Sequence, residues 1–192
     1  MGSIKRYTEL KKSDEILLAT TRGIQYPLDR NVRKEPEQKI ARTFRFCQVN
    51  KDNIIGKITN KIVLRRMGYK YGVTLSKNNN IGKGFLIGHF GRIIINSDAI
   101  IGDDFVVSSG VVIGADMRGE RKGTPTIGNK VCVHSNSCIV GKVSIGNDVV
   151  IAPNTFVNFD VPDHSVVIGN PAVIHKKENA TEGYIGTHLL ED

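Results

Sequence analysis

Aliphatic residues recur at every sixth position through most of the chain after residue 74. All thirteen positions of this series hold Ile, Leu or Val: Leu75, Ile81, Ile87, Ile95, Ile101, Val107, Ile113, Ile127, Val133, Ile139, Ile145, Ile151 and Val157. Three six-residue segments make one triangular coil, so residues eighteen apart stack as ladders of branched side chains. The stacked pairs that this spacing predicts are Ile127 with Ile145, Val133 with Ile151 and Ile139 with Val157.

A glycine follows six of these aliphatic residues, where a small residue lets the backbone turn tightly between short strands. The six are Gly82, Gly88, Gly102, Gly114, Gly128 and Gly146. An antiparallel β-sandwich, the alternative, would instead show strict two-residue alternation and a turn every 8–12 residues. The pattern therefore predicts an all-β chain in the form of a single-stranded parallel β-helix.

The six-residue register breaks twice. The step from Ile87 to Ile95 is two residues too long, beside the segment His89-Phe90-Gly91-Arg92. The step from Ile113 to Ile127 is fourteen residues, so residues 115–126 must leave the coil as a polar, basic loop. Loops that leave a rigid scaffold often carry function.

The two ends of the chain depart from the repeat. Residues 52–67 place Ile55, Ile58, Ile62 and Val63 at helical spacing among lysines and arginines, which predicts an amphipathic helix. This helix either caps the first coil or lies on a membrane surface. Pro162 and Pro171 are expected to end the winding, and the tail from residue 178 onward is expected to be loosely held. We therefore divide the chain into a mainly helical segment (1–70), a β-helix with loop 115–126 (71–160), and a cap with tail (161–192).

Composition narrows the classes of partner. The chain of 192 residues has 40% hydrophobic and 24% charged residues, which argues against disorder. Its formal net charge of +8 is dispersed, and it has 6% aromatic residues and no Trp, so we expect no nucleic-acid partner. Three cysteines without a CxxC pair, and no apolar leader or spanning segment, lead us to expect a cytoplasmic protein.

Several segments between residues 71 and 177 resemble a known family. The segments IGKGFLIGHFGRIIINSDAIIGDD, SSGVVIG, PTIGNKVCV and DVPDHSVVIGNPAVI are similar to hexapeptide-repeat acyltransferases, in the branch of the serine acetyltransferases and bacterial polysaccharide O-acetyltransferases. The resemblance implies a left-handed β-helix, acetyl-CoA as co-substrate without a metal, and a homotrimer with active sites between subunits.

The resemblance gives His89 the role of catalytic base. An alcohol attacks a thioester poorly until its proton is removed, and an imidazole changes protonation near neutral pH. The insertion beside His89 would also lift this side chain off the wall of the helix.

Four positions depart from the serine acetyltransferase pattern. The carboxylate that orients the base corresponds to Thr74, the acidic residue before the base to Gly88, and an arginine and a histidine of the extended loop to Gly123 and Thr124. A buried zwitterion without charged partners would bind poorly. We therefore expect the acceptor to be a sugar hydroxyl of a surface-polysaccharide precursor (capsule or lipopolysaccharide), held by Arg92, Thr74 and Thr124, with serine O-acetylation for cysteine biosynthesis as the alternative.

The resemblance also implies a path for the cofactor. The thioester and pantetheine would pass four small or cyclic residues, Gly114, Ala115, Ser135 and Pro153, where a backbone N–H could stabilise the oxyanion. Lys176 and Lys177 either bind the phosphates of CoA or are simply solvated charges. His134 either adds a polar group to the cleft or plays no part.

Two other functions use the same architecture. A γ-type carbonic anhydrase needs three zinc-bound histidines, and His89 and His134 have no third partner in the repeats. A non-catalytic β-helix used for assembly would bind no acetyl-CoA.

Overall fold

The computed structural model describes residues 2–189, with all their side chains except those of residues 55, 58 and 59. In this part of the chain the helices come first: α1 (Ser3–Arg22), α2 (Arg30–Arg33), α3 (Pro36–Val49) and α4 (Ile54–Tyr71). None of the helices in this range is long and apolar enough to cross a membrane.

Short strands follow the helices and wind into coils with three faces. In chain order the strands are β1 (Val73–Thr74), β2 (Asn80–Ile81), β3 (Phe85–Ile87), β4 (Ile93–Ile95), β5 (Ile100–Ile101), β6 (Phe105–Val107), β7 (Val112–Gly114), β8 (Thr126–Ile127), β9 (Val131–Val133), β10 (Cys138–Val140), β11 (Ser144–Ile145), β12 (Val149–Ile151), β13 (Phe156–Val157), β14 (Ser165–Gly169) and β15 (Ala172–Lys176). Face A stacks β1-β4-β7-β10-β13, face B stacks β2-β5-β8-β11, and face C stacks β3-β6-β9-β12-β14-β15. All neighbours pair in parallel except β14 and β15.

The strand register confirms the predicted parallel β-helix. The pairs expected to stack are direct Cα partners: Ile127 with Ile145, Val133 with Ile151 and Ile139 with Val157. All thirteen residues of the series are buried, and Leu75 is the most exposed of them at 7%. Their side chains fill the inside of the triangle, where burial of apolar area is the main source of stability.

The glycines after the aliphatic residues fall into two groups. At four of them a Cβ would collide with the next turn of the chain: Gly82, Gly102, Gly128 and Gly146. On Gly128, for example, it would lie 2.7 Å from the carbonyl oxygen of Gly146. Around Gly88 and Gly114 the nearest atoms are 3.5 and 3.6 Å away, so coil packing does not require glycine there.

A row of Asp and Asn side chains ties the coils together at the corner between faces B and C. The Oδ1 atoms of Asp103, Asn129, Asn147 and Asp163 each accept a hydrogen bond from a main-chain N–H of the preceding coil, at 2.7–2.8 Å. The six-residue pattern of aliphatic positions did not reveal this row.

The open edge of the first coil is closed by one buried arginine from α3. The guanidinium of Arg45, which is fully buried, donates to the carbonyl oxygens of Ile81 and Gly82 at 2.8 and 2.6 Å. It also makes a bidentate ion pair with Asp14 of α1, in which Nε donates to Oδ2 at 2.9 Å and Nη2 to Oδ1 at 2.8 Å. Asp14 in turn accepts the N–H of Phe85 at 2.8 Å. These bonds attach the helical segment to the β-helix and satisfy backbone groups that would otherwise be orphaned.

Helix α4 confirms the predicted helix, and its predicted apolar face holds at Val63 but not at Ile62. It packs against β1, and its inward side carries Val63, Leu64, Met67 and Tyr71. Ile62, which we expected on the buried stripe, points outward and is 56% exposed. The side chains of Ile55 and Ile58 lie outside the described ones.

The end of the chain is held more firmly than expected. The winding continues past Pro162, because β14 pairs with β12, and the chain turns back only at Pro171. Residues 179–189 then fold onto the corner between faces B and C, where Asp148 accepts the N–H groups of Ala180 and Thr181 and the Thr181 hydroxyl at 2.6–2.9 Å. For residues 179–189 the expectation of a loose tail was wrong, because it treated their polar groups as solvated and overlooked the acceptors that the coils offer; residues 190–192 lie outside the described ones.

Substitution of Arg45 tests the closure of the first coil. Arg45→Met removes the cation that neutralises the buried Asp14 carboxylate and leaves the Gly82 carbonyl oxygen without its donor, so we expect the free energy of unfolding to fall by about 3–5 kcal/mol. Arg22→Ala, which breaks the exposed pair with Glu35, should cost no more than about 1 kcal/mol. Urea titration measures the free energy of unfolding of both variants. Equal decreases would show that Arg45 stabilises the fold no more than an exposed ion pair does.

The tail attachment predicts a pH dependence. Burial alone would raise the pKa of Asp148, but hydrogen bonds from Thr181, His164 and Ala180 outweigh burial and lower this pKa to about 2. The ionised form therefore stabilises the fold above about pH 4 and loses this effect as the pH falls toward 2. We expect Asp148→Asn to cost roughly 1–2 kcal/mol at pH 6–8, after allowance for solvent screening. In thermal unfolding, the difference from wild type should shrink between about pH 4 and 2; a constant difference would contradict this assignment.

Candidate active site

The first register break places two residues outside the coil. The N–H of Gly88 still bonds the carbonyl oxygen of Val107 at 2.9 Å, and the carbonyl oxygen of Gly91 accepts the N–H of Gly110 at 2.8 Å. The chain is thus in register on both sides, and the inserted pair between them is His89 and Phe90. This arrangement confirms that the insertion lifts His89 off the wall.

His89 is exposed at the corner between faces C and A. Its neighbour Phe90 packs edge-on against Tyr71 at the end of α4, with ring centroids 5.6 Å apart, and this contact supports the bulge. Among the described residues no group bonds the His89 ring, and this includes Thr74, which stands where the family has the orienting carboxylate. The imidazole is therefore free for a ligand.

A cavity of about 490 Å³ lies beside this bulge. Its lining residues come from three successive coils and are Gly91, Arg92, Ile94, Ser109, Gly110, Val112 and Asn136. Arg92 is exposed, follows His89 by three residues, and has a left-handed backbone with φ of 46°. Its guanidinium forms no ion pair or hydrogen bond within residues 2–189. The cavity thus combines this cation with the hydroxyl of Ser109 and the amide of Asn136, and it begins two residues after His89, which does not line it.

Two of the expected cofactor positions lie on the same corner as His89. Ser135 and Pro153 occupy successive coils there, and the carbonyl oxygen of Ser135 accepts the N–H of Asn154 at 3.0 Å. The N–H of Ser135 itself has no acceptor among the described residues. Gly114 and Ala115 instead lie at the other end of face A, where β7 ends.

Lys176 and Lys177 are not brought to this corner. Lys176 lies opposite Ser165 at the beginning of β14, and the N–H of Lys177 bonds the carbonyl oxygen of His164. Both lysines therefore lie at the corner between faces B and C, a full strand away from Ser135 and Pro153. Within one chain they cannot bind the same ligand segment as these residues.

Loop 115–126 forms a small hairpin at the corner between faces A and B. Asp116 and Gly123 exchange two backbone hydrogen bonds at 2.9 Å, and the hydroxyl of Thr124 donates to the carbonyl oxygen of Asp98 at 3.2 Å. Thr124 and His89 thus lie on opposite edges of face A in one chain. The surface between them is apolar and includes Ile94 and Phe156, which are 45% and 37% exposed.

The side chains of His134, Cys132 and Cys138 do not line the cavity beside the bulge. His134 contacts Tyr184 of the tail edge-on, and burial lowers its pKa. Cys132 lies on face C, where burial raises its pKa to about 12, whereas Cys138 lies on face A, so the two do not face one another. Within residues 2–189 no group of three or more His, Cys, Asp or Glu side chains could hold a metal ion.

Known proteins similar to this chain are serine acetyltransferases. The chain is 32% identical over 124 residues to chloroplastic serine acetyltransferase 1 of Arabidopsis thaliana, a match covering 64% of this chain and 40% of that relative. It is 33% identical over 101 residues to the serine acetyltransferase of Helicobacter pylori, covering 53% of this chain and 59% of that relative. The match therefore spans only about half the length of these relatives. No protein-family model matches the chain.

The fold is also found among solved serine acetyltransferases. The soybean apoenzyme superposes with a TM-score of 0.75 and 20% identity, over 89% of this chain and 69% of that one. This likeness identifies the hand of the winding, which strand spacing alone leaves open: the coils form a left-handed β-helix.

These relatives correct the acceptor expected from the sequence. The prediction of a sugar in surface polysaccharide was wrong, because the similar proteins are serine acetyltransferases and support the alternative instead. That prediction counted charges at only four positions and assigned Arg92, the cation of the cavity beside the bulge, to a sugar hydroxyl rather than to a carboxylate. Over its β-helical part, the chain is similar in sequence to serine acetyltransferases and has the same left-handed β-helical fold.

Proposed function

We propose that the protein transfers the acetyl group of acetyl-CoA to the hydroxyl of serine. The observation that carries this proposal is the position of His89, free and exposed on a two-residue insertion, in a chain similar to serine acetyltransferases. The fold shared with solved serine acetyltransferases supports the same reaction.

In this reaction His89 acts as the general base. Its imidazole accepts the proton of the serine hydroxyl while the hydroxyl oxygen attacks the thioester carbonyl carbon. The tetrahedral intermediate then collapses, the bond from carbon to sulfur breaks, and the imidazolium returns the proton to the departing thiolate. The products are O-acetylserine and CoA.

The corner next to His89 supplies the remaining groups. The unpaired N–H of Ser135 is suited to donate to the oxyanion of the intermediate. Pro153 lies beside it on the next coil and would flank the pantetheine. Arg92 offers its guanidinium to the carboxylate of serine, which an arginine binds with paired hydrogen bonds. Thr74 and Thr124 would add neutral hydrogen bonds to the substrate.

Assembly of three chains would complete each site. His89 and Thr124 lie on opposite edges of face A, and the apolar surface between them is exposed in one chain. A neighbouring copy packed on this surface would bring its loop 115–126, with Gly114 and Ala115, to the His89 of the first chain. In a closed ring of three copies, the His89 edge of each chain would meet the loop 115–126 of a neighbour.

Replacement of His89 tests the chemistry. We expect His89→Ala to keep the fold, because its side chain is exposed, and to lower acetyl transfer to serine by roughly 10²-fold or more. Release of free thiol from acetyl-CoA, with mass detection of O-acetylserine, measures the rate. His175→Ala on β15, also exposed, serves as the control and should keep the wild-type rate.

The outcomes of this assay distinguish an error in the acceptor from an error in acetyl-CoA binding and from an error in the role of His89. A wild-type protein that binds acetyl-CoA but acetylates no serine would contradict the proposed acceptor. A protein that binds no acetyl-CoA would point to a non-catalytic scaffold. Near-native turnover by His89→Ala would remove this residue from the mechanism.

The trimer is tested by a matched pair of surface substitutions. Light scattering of the wild type should give three times the 21.1 kDa of one chain. Ile94→Lys places a charge on the apolar surface of face A and should dissociate the trimer, with loss of activity. Ile100→Lys on face B, where the side chain is similarly exposed at 49%, should leave the trimer intact. A stable, active wild-type monomer would defeat this assembly.

A further inference from the structure

The side of α4 that faces away from the β-helix combines cations with exposed apolar residues. We call this side the outer face of α4; its exposed residues are Ile54, Lys57, Lys61, Ile62, Arg65, Arg66, Tyr69 and Lys70. The helix contains five Lys and Arg residues and no Asp or Glu. None of these five cations forms an ion pair with any residue in the part of the chain that the structure describes.

Packing of the opposite side fixes the direction of this face. Met67 is buried, and Val63, Leu64 and Tyr71 pack against the core beneath the helix. Rotation of the helix to bury Ile62 would expose Met67, so the outer face remains in water in a single chain. Tyr69, which is 77% exposed, receives a hydrogen bond from the Arg65 Nε at 3.2 Å. The exposed apolar and charged groups are therefore a stable property of this surface.

We propose that the outer face of α4 docks on an anionic lipid surface. Interspersed lysines and arginines complement lipid phosphates, while aliphatic side chains and a tyrosine between them enter the boundary of the acyl region. A nucleic acid would complement the cations but would leave Ile54 and Ile62 without partners. The long basic side chains can also extend toward the headgroups while their stems cover apolar area.

Docking would bring the candidate active site close to the lipid surface. Helix α4 ends at Tyr71, whose ring contacts Phe90, the residue next to His89. The docked protein would thus carry out its chemistry beside the membrane. This proposal does not depend on which acceptor is used.

Vesicle flotation tests the docking with the 192-residue chain. We expect binding to vesicles of phosphatidylcholine with about 30% phosphatidylglycerol, and at least roughly 10-fold weaker binding to phosphatidylcholine alone. Raising the salt from about 0.1 M to about 0.5 M should weaken the binding. Lys61→Glu with Arg65→Glu should reduce it by roughly 10-fold or more.

Two further variants make the test specific. Lys176→Glu with Lys177→Glu changes the net charge equally but at the last coil, far from α4, and should keep binding within about twofold of the wild type. Ile62→Ser leaves the charge unchanged and should lower binding several-fold, and it keeps the test valid if the charge reversal disturbs folding. Thermal unfolding checks each variant.

Three results would overturn the proposal. One is a wild type that binds neither kind of vesicle. Another is an equal loss of binding in the α4 and last-coil charge variants, which would show a nonspecific effect of net charge. The third is α4-dependent binding of poly(U) RNA without binding of vesicles, which would assign the face to nucleic acid.

Discussion

The structure depends on one constraint, the six-residue register in which every coil bonds its backbone to the coils beside it. A residue that fits the register is either buried in the triangular core or fixed on its wall, as the pairing of Val133 with Ile151 shows. A residue in excess must leave the wall, because shifting the register would break the hydrogen bonds of every later coil. The same constraint leaves unpaired backbone groups at the first coil, which is why Arg45 is buried against the carbonyl oxygens of Ile81 and Gly82.

The candidate site follows from this constraint. His89 and Phe90 are displaced as a pair because the hydrogen bonds of Gly88 and Gly91 keep the chain in register on both sides. The second insertion, residues 115–126, leaves the wall at another corner and cannot reach His89 within the same chain. In the proposed trimer, the base on one edge of face A and the loop on the other, with exposed Ile94 between them, would belong to two different sites. The proposed chemistry and the proposed assembly therefore have the same physical origin.

The sequence predicted what depends on local periodicity and missed what depends on long-range side-chain contacts. The repeat predicted the burial of all thirteen residues of the aliphatic series and the position of both bulges, because burial inside a coil leaves a period of six in the sequence. It did not reveal that Arg45 and Asp14, 31 residues apart, form the closure, nor that Thr181 bonds Asp148 across 33 residues. The apolar face of α4 was misassigned at Ile62 because a helix with apolar residues on several sides offers more than one stripe. The acceptor was mispredicted because four substituted positions do not describe the charges of a whole site.

The central claim is that acetyl transfer takes place at His89, and a structure of the protein with bound CoA tests it most directly. The account predicts that the thiol sulfur lies at the corner between faces C and A, beside Ser135. The space between the sulfur and the imidazole of His89 should hold the acetyl carbonyl and the acceptor hydroxyl, with the hydroxyl oxygen about 3–3.5 Å from the carbonyl carbon. CoA bound with its sulfur elsewhere, for instance at the corner of Lys176 and Lys177, would contradict the account.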